Sequence, residues 1–330
     1  MAKTFILGGT LVEPGELREI HLSITEASNA RPVLLPITVI RGANEGPRVI
    51  LSAAVHGDEL NGTAILREMI EKISPKRLTG TLIVIPIVNI LGFLARSRYL
   101  PDHRDLNRFF PGTPKGNMAQ RIAYRFFEEV VRMADFGIDL HTAISGRANF
   151  PHVRADMANA QARKMAKLFG VPVIIADRGQ PGMLRRAATD KGIPYISWEG
   201  GTSNAFERWI VRSGVNSLFT FLHRSRMWKK KKKPPKRPFQ IIVRNTAWIR
   251  AERGGLLELN VKPGELLYRG ERVARISNPL GRASTVVPSP LTGLVIGVTT
   301  SPVVNPGTAL VNIAQLKKTL SAVEKYLKEQ

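Results

Sequence analysis

Hydrophobic and polar positions change their period several times along this chain. Residues 1 to 47 carry short apolar runs broken by Gly, Pro and Asn, which predicts irregular β structure. Arg48-Val49-Ile50-Leu51-Ser52-Ala53-Ala54-Val55 is then almost wholly apolar, the pattern of a strand buried on both faces. A helix is expected over about 60 to 72, followed by a second buried strand at Thr81-Leu82-Ile83-Val84-Ile85-Pro86. Met118, Ile122, Phe126 and Val130 recur at helical spacing within 117 to 134, and Phe136-Gly137-Ile138-Asp139-Leu140-His141 reads as a third strand. A helix at about 157 to 169, a strand at Val171–Ile175, a further helix, a strand at Pro194–Glu199 and a long helix over 204 to 226 complete this region. Strands alternating with helices predict an α/β fold: a mixed, mostly parallel sheet flanked by helices. Ligands in such sheets bind beyond the carboxyl ends of the strands, where His56, His141 and Glu199 all fall.

After residue 238 the texture shifts. Residues 239 to 314 hold short apolar runs, many Gly and Pro, and no helical period. Val261-Lys262-Pro263-Gly264-Glu265 and Val304-Asn305-Pro306-Gly307-Thr308 repeat a half-pattern, each leading into an apolar strand. Two similar halves predict a small all-β barrel-sandwich, which resembles the biotinyl and lipoyl carrier domains. Ser289-Pro290-Leu291-Thr292-Gly293 stands where those domains place their carrier hairpin, but the modifiable lysine is missing, so no biotin or lipoyl group is expected. The expected organisation is a catalytic unit over 1–227 (with 1–47 as a β-rich lead-in), a basic linker over 228–238, the β-sandwich over 239–314 and a basic terminal helix over 315–330.

Composition narrows the chemistry. Hydrophobic residues make up 43% of the 330, enough for a sizeable core, and no apolar run is long enough for a membrane span. The first ten residues lack the apolar stretch of a signal peptide, and there are no cysteines, which together fit a cytoplasmic protein without disulfides. Any metal must then be held by His, Asp or Glu. The net charge of +23 favours anionic partners. Part of it lies in Lys229–Lys233, Lys236 and Arg237 among prolines, read as a solvated linker; nucleic acid is not the expected partner because no aromatic platform accompanies these charges. A small anionic substrate is the expected partner, and association into a homo-oligomer is open.

Four short stretches carry candidate chemistry. In Val55-His56-Gly57-Asp58-Glu59 the histidine and glutamate are three residues apart at a strand end and can converge on one ion; the alternative is Asp58 as a helix cap with His56 incidental. Asp139-Leu140-His141 offers a third ligand, with Asp139 on the same side of the strand as a support, or else a core histidine. Two histidines and a glutamate leave a coordination position open, as catalytic zinc sites do. Asn107 and Arg108, in a long charged loop, suit a carboxylate, through an amide donor and a guanidinium fork. Glu199, in Ser197-Trp198-Glu199-Gly200-Gly201, suits a general base or a surface glutamate before a turn.

"HGDE" with "NG", then "DLNRFFPG", "DLH" and "WEGG", in this order, resemble the succinylglutamate desuccinylase/aspartoacylase family, relatives of the zinc carboxypeptidases. The match runs over roughly residues 30 to 225. The resemblance implies a zinc-dependent amidohydrolase acting on linear amides, an N-acyl amino acid deacylase with one zinc per chain. It implies His56, Glu59 and His141 as zinc ligands, Asn107 and Arg108 as the carboxylate grip, and Glu199 as general base. It also implies Arg98 as the residue that polarises the scissile carbonyl, with Arg96 or Arg104 as substitutes because the gap to Asp105 is long. Asp58 and Asp139 are the expected supports. Alternatives are a carboxypeptidase-like action on short peptides and a non-catalytic binding protein of the same fold. His21, His152 and His223 match no motif, and His103 lies close to the arginine loop.

Overall fold

The structure, a computed structural model, describes residues 4–229, 239–281, 283–316 and 319–328. The first segment contains β1 (Ile6–Leu7), β2 (Thr10–Leu11), β3 (Leu17–Glu26) and β4 (Pro32–Arg41). The alternating region follows as β5 (Asn44–Ala53), α1 (Leu60–Lys72), β6 (Thr79–Ile85), α2 (Ile90–Leu94), α3 (Met118–Glu129), β7 (Phe136–His141), β8 (Arg147–Ala155), α4 (Ala160–Phe169), β9 (Val173–Ala176), α5 (Leu184–Asp190), β10 (Tyr195–Thr202) and α6 (Arg208–Arg224). The last part contains β11 (Ile241–Val243), β12 (Thr246–Arg250), β13 (Gly255–Leu259), β14 (Leu266–Leu267), β15 (Arg272–Ser277), β16 (Ser284–Pro288), β17 (Gly293–Thr299), β18 (Val303–Val304), β19 (Ala309–Gln315) and α7 (Leu320–Lys328). The expected linker residues 230–238 lie outside the described residues.

Ten strands run side by side in the order β12-β19-β17-β8-β10-β7-β5-β6-β4-β3, with β9, β11 and β14 attached beside that path. Pairing is parallel across β6, β5, β7 and β10 and again across β8, β9 and β11. It is antiparallel where β3, β4 and β6 meet and where β8 meets β10 and β17. The sheet is therefore more mixed than the expected mostly parallel one. One cause is β8, which the pattern does not announce: Arg-Ala-Asn-Phe-Pro-His-Val-Arg-Ala has a proline and no clean alternation. Only residues 142–146 separate it from β7, too few for a parallel crossover, so it runs antiparallel beside β10.

Burial on both faces holds for β5. Val49, Leu51 and Ala53 join the core under α1, α4 and α6, with Met69, Phe169, Phe221 and Trp198. Ile50 points the other way, into a second core with Leu35, Phe126, Phe127 and Tyr195. Alternate side chains of one strand thus enter different cores, which is why its sequence reads as continuous apolar residues rather than an alternation.

Two glycines of the first motif set close approaches. A Cβ on Gly57 would lie 2.0 Å from the backbone carbon of Gly92, and one on Gly62 would lie 2.9 Å from the Cβ atoms of Ala53 and Leu140. Gly57 lets the turn after β5 lie against the start of α2, and Gly62 lets α1 rest on the strand ends. Gly57→Ala is expected to cost about 3 kcal/mol, because the obstacle is backbone rather than a flexible side chain; chemical denaturation of the two proteins measures it.

Beyond residue 238, β16-β15-β13-β18 form a separate four-stranded sheet, while β12, β14, β17 and β19 belong to the large one. Leu257, Val273 and Ile276 share a core with Val295, Leu310 and Val311. The large sheet is continuous across the junction: Gly297, Val298 and Thr299 of β17 pair with Asn149, Ala148 and Arg147 of β8. No helix among the described residues is long and apolar enough to cross a membrane.

Candidate active site

The ends of β5, β7 and β10 deliver their residues to one place. His56 and Glu59 stand in the turn between β5 and α1, where the Glu59 N–H donates to the His56 carbonyl at 3.1 Å. Glu59 occupies the N-cap position of α1 but makes no side-chain cap bond, and Asp58 does not cap the helix either. The Glu59 carboxylate is drawn across to the end of β7 instead. Its Oε1 lies 2.6 Å from His56 Nδ1, and its Oε2 lies 2.8 Å from His141 Nδ1 and accepts the Thr142 N–H at 3.0 Å. The two imidazole rings are 5.2 Å apart between centroids, and one ligand atom from each of His56, Glu59 and His141 lies within 4.8 Å of the others. All three residues are buried.

The outer ring nitrogens are each tied to a carboxylate. His141 Nε2 lies 2.7 Å from Asp139 Oδ2, whose other oxygen accepts the Ser52 hydroxyl at 2.7 Å. His56 Nε2 lies 3.1 Å from Asp105 Oδ1. A proton held on each Nε2 by its carboxylate leaves both Nδ1 lone pairs turned inward beside the glutamate. This donor set fits a divalent cation such as zinc: two imidazole nitrogens and a carboxylate, buried together, with their orientation fixed from behind.

Electrostatics say the same. Burial disfavours charge on Glu59, yet His56 and His141 outweigh it and hold the carboxyl well below the usual range. Burial also disfavours imidazolium at His141, but Asp139 and Glu59 overcome it and raise the ring well above its ordinary value. His56 is raised too, with Glu59 and Asp105 overcoming its burial. The protein has gathered negative charge here that favours any cation, a proton or a metal ion.

Arg98 reaches this cluster from the long loop. It donates to Glu59 Oε1 at 3.2 Å and to Asp105 Oδ2 at 2.9 Å. Arg104 is exposed and pairs with Asp102, and Arg96 is exposed with φ 50°; neither lines the cavity, so among the three arginines only Arg98 does. Asn107 is buried, and its Oδ1 accepts the Leu184 N–H at 2.8 Å, while Arg108 is exposed, beside Asp105 at 3.9 Å. Glu199, on β10, accepts from Asn149 Nδ2 at 3.2 Å and lies 3.6 Å from Arg154. Burial raises its pKa, and Arg154 opposes this only in part. His56, Glu59, Arg98, Asn107, Arg108, His141 and Glu199 all line one cavity of about 350 Å³.

Several neighbours were not legible beforehand. Asp105, which touches both His56 and Arg98, sits two residues before Asn107 and carries no spacing signal of its own. Asn149, Arg154, Asp177 and Arg185 line the cavity from β8 and the segments around α5. Trp248 and Asn312 line it from β12 and β19, and the Asn312 Oδ1 is buried without a hydrogen-bond partner among the described residues. No spacing in the sequence links these positions to the first motif. Asp58 is buried but makes no side-chain hydrogen bond to any of the three clustered residues, unlike Asp139, so its expected support reaches them through charge alone. His103 is exposed and outside the cavity lining. His152 is fully buried on β8, its Nδ1 at 2.8 Å from the Phe150 carbonyl, and its pKa is lowered to about 3 by burial and Arg154, so it is neutral.

Comparison with known proteins follows the same lines. Residues 45–223 match the model of the succinylglutamate desuccinylase/aspartoacylase catalytic domain. The chain is 28% identical over 257 residues to the N-alpha-acetyl-L-2,4-diaminobutyric acid deacetylase of Halomonas elongata, which covers 74% of each protein. Its fold is similar to the product-bound ectoine utilization protein EutE (DoeB) from Ruegeria pomeroyi, with a TM-score of 0.81 at 23% identity over 95% of this chain and 98% of that one. A succinylglutamate desuccinylase/aspartoacylase from Rhodobacter sphaeroides gives 0.81 at 24% identity, over 93% and 98%. With more than half its length matched by the catalytic-domain model, the chain belongs to the succinylglutamate desuccinylase/aspartoacylase family.

Proposed function

We propose that this protein is a zinc-dependent deacylase that hydrolyses the amide bond of N-acyl amino acids. The observation that carries this is the meeting of His56, Glu59 and His141 in the same cavity as Glu199 and Arg98. His56, Glu59 and His141 would hold the zinc, which when bound supplies an acidified water and Lewis acidity. Glu199 takes the proton of the attacking water and returns it to the departing nitrogen; burial keeps its carboxylate basic enough to accept it. Arg98 donates to the carbonyl oxygen as negative charge develops there, an interaction worth about 3 kcal/mol in comparable sites. Asn107, fixed by the Leu184 N–H, and Arg108 grip a carboxylate of the substrate. Asp105 and Asp139 keep the imidazoles oriented. The relative from Halomonas elongata is named for an N-acetylated diamino acid, one member of this substrate class. We also propose that the strands beyond residue 238 form a barrel-sandwich of the biotinyl/lipoyl type, supported by their division between two sheets over one core.

The test is an assay of the zinc-loaded protein against a panel of N-acetyl and N-succinyl amino acids, with the released amine detected. Release of amine from at least one member, abolished by a chelator and restored by zinc, is expected. No release from any member, with zinc bound, overturns the proposal.

A further inference from the structure

The two oxygens of Glu199 have different surroundings. Oε2 accepts from Asn149 Nδ2 at 3.2 Å. Oε1 lies 3.6 Å from Arg154 Nε, a charge contact too long for a hydrogen bond. Among the described residues, Asn149 is thus the only hydrogen-bond donor to this carboxylate. The last torsion of a glutamate side chain is broad, so without such a donor the plane of the carboxylate is poorly fixed.

Asn149 reaches this position through an irregularity in the ladder. Glu199 of β10 pairs with His152 of β8, but Gly201 pairs with Asn149 rather than Phe150. One extra residue of β8 is taken up between the two pairs, a β-bulge. Side chains alternate between the faces of a strand, so a regular ladder would set Phe150 opposite Gly201 and turn Asn149 to the far face. The bulge exchanges the two: Asn149 lines the cavity, and Phe150 packs against the apolar cluster that holds Val173 and Ile241. Little backbone bonding is lost. Pro151, inside the bulge, has no N–H to leave unpaired, and the neutral His152 ring donates from Nδ1 to the Phe150 carbonyl at 2.8 Å. On the other side of β8, Gly297 of β17 pairs with Asn149. A Cβ at Gly297 would lie 2.7 Å from Asn149 Oδ1, so the missing side chain is what leaves room for the amide.

We propose that Asn149 is a positioning residue: its amide holds the plane of the Glu199 carboxylate so that one oxygen faces the attacking water, and the bulge at Phe150-Pro151 together with Gly297 aims the amide there. The inference rests on the deacylase function proposed above and deepens it. It also gives the strands beyond residue 238 a part in the chemistry, since β17 supplies the space in which Asn149 works.

Zinc-loaded Asn149→Ala and Gly297→Ala are compared with wild type on a substrate found by the panel assay. In each, kcat is expected to fall about 10- to 100-fold with KM changed less than about threefold and zinc content unchanged, the cost of misplacing a reacting group by about an ångström. Gly297→Ala acts by pushing the amide aside, so it should add no further loss to Asn149→Ala, and Asn149→Ala should add none to Glu199→Gln. Unchanged kcat in either single variant, a loss carried by KM, or a full further loss in either double variant overturns the inference. Crystal structures of wild type and Asn149→Ala give a readout that needs no turnover. One orientation of the Glu199 carboxylate in wild type, bonded to Asn149, and a turned or doubled one in the variant are expected; the same single orientation in both overturns the inference. If the panel releases amine and any overturning outcome is found, the deacylase function stands and only the role of Asn149 falls. If the panel releases nothing, the deacylase function falls, and the crystal structures alone decide whether Asn149 orients Glu199.

Discussion

Glu199→Gln is expected to lower kcat by about 10²–10⁴-fold, the usual contribution of a positioned general base, while the zinc content of the protein stays the same. The amide has the shape of the carboxylate and can still accept from Asn149, so the fold around β10 should hold. Steady-state kinetics and metal analysis on one preparation make the comparison. Full turnover in the variant would end the assignment of Glu199 as base. The wild-type pH profile carries a second check. As a general base Glu199 would work only when deprotonated, and burial raises its pKa. The rate should therefore fall on the acid side through a pKa higher than that of a free glutamate. Arg154 pulls that pKa down, so Arg154→Met should move the acid limb to higher pH.

Removing the charge of Glu59 should have the other large effect. Its two oxygens are shared among His56, His141, the Thr142 N–H and Arg98, all within 3.2 Å. Glu59→Gln would take away a proposed metal ligand and also leaves Arg98 and the imidazoles without their shared counter-charge. Zinc retained after dialysis is expected to fall from about one per chain to a small fraction of that. The chelated variant should also unfold more easily than chelated wild type, by about 3–5 kcal/mol, as when one partner of a buried ion pair is removed. Zinc retained at wild-type stoichiometry, in a variant of wild-type stability, would mean that Glu59 holds neither the metal nor the cluster.

Much of the site was legible because its chemistry is local. His56 and Glu59 are three residues apart, and Asp139 and His141 are two apart on one strand, so spacing alone places each pair on one side. The apolar runs of β5, β6 and β7 told where those pairs would meet, since parallel strands bring their carboxyl ends to one edge. Arg98 was distinguished from Arg96 and Arg104 only by the fold, because all three sit in one charged loop and only Arg98 turns inward. β8 was missed for a physical reason. It is paired on both sides, so its backbone is satisfied by its neighbours and its side chains need not alternate; Pro151 and His152 are tolerated there. Missing β8 hid Arg147, Asn149 and Arg154. Trp248 and Asn312 were hidden by distance, since they reach the cavity through pairing between strands that lie more than 90 positions beyond β8 in the chain.

The hydrogen bonds that join β17 to β8 have a mechanical consequence. Trp248 and Asn312 do not sit on a hinged flap that could open as a unit; they are riveted, through β19 and β17, to the very strand that bears Arg147 and Asn149. That wall of the cavity is thus laid down by the strand pairing itself, before any ligand arrives.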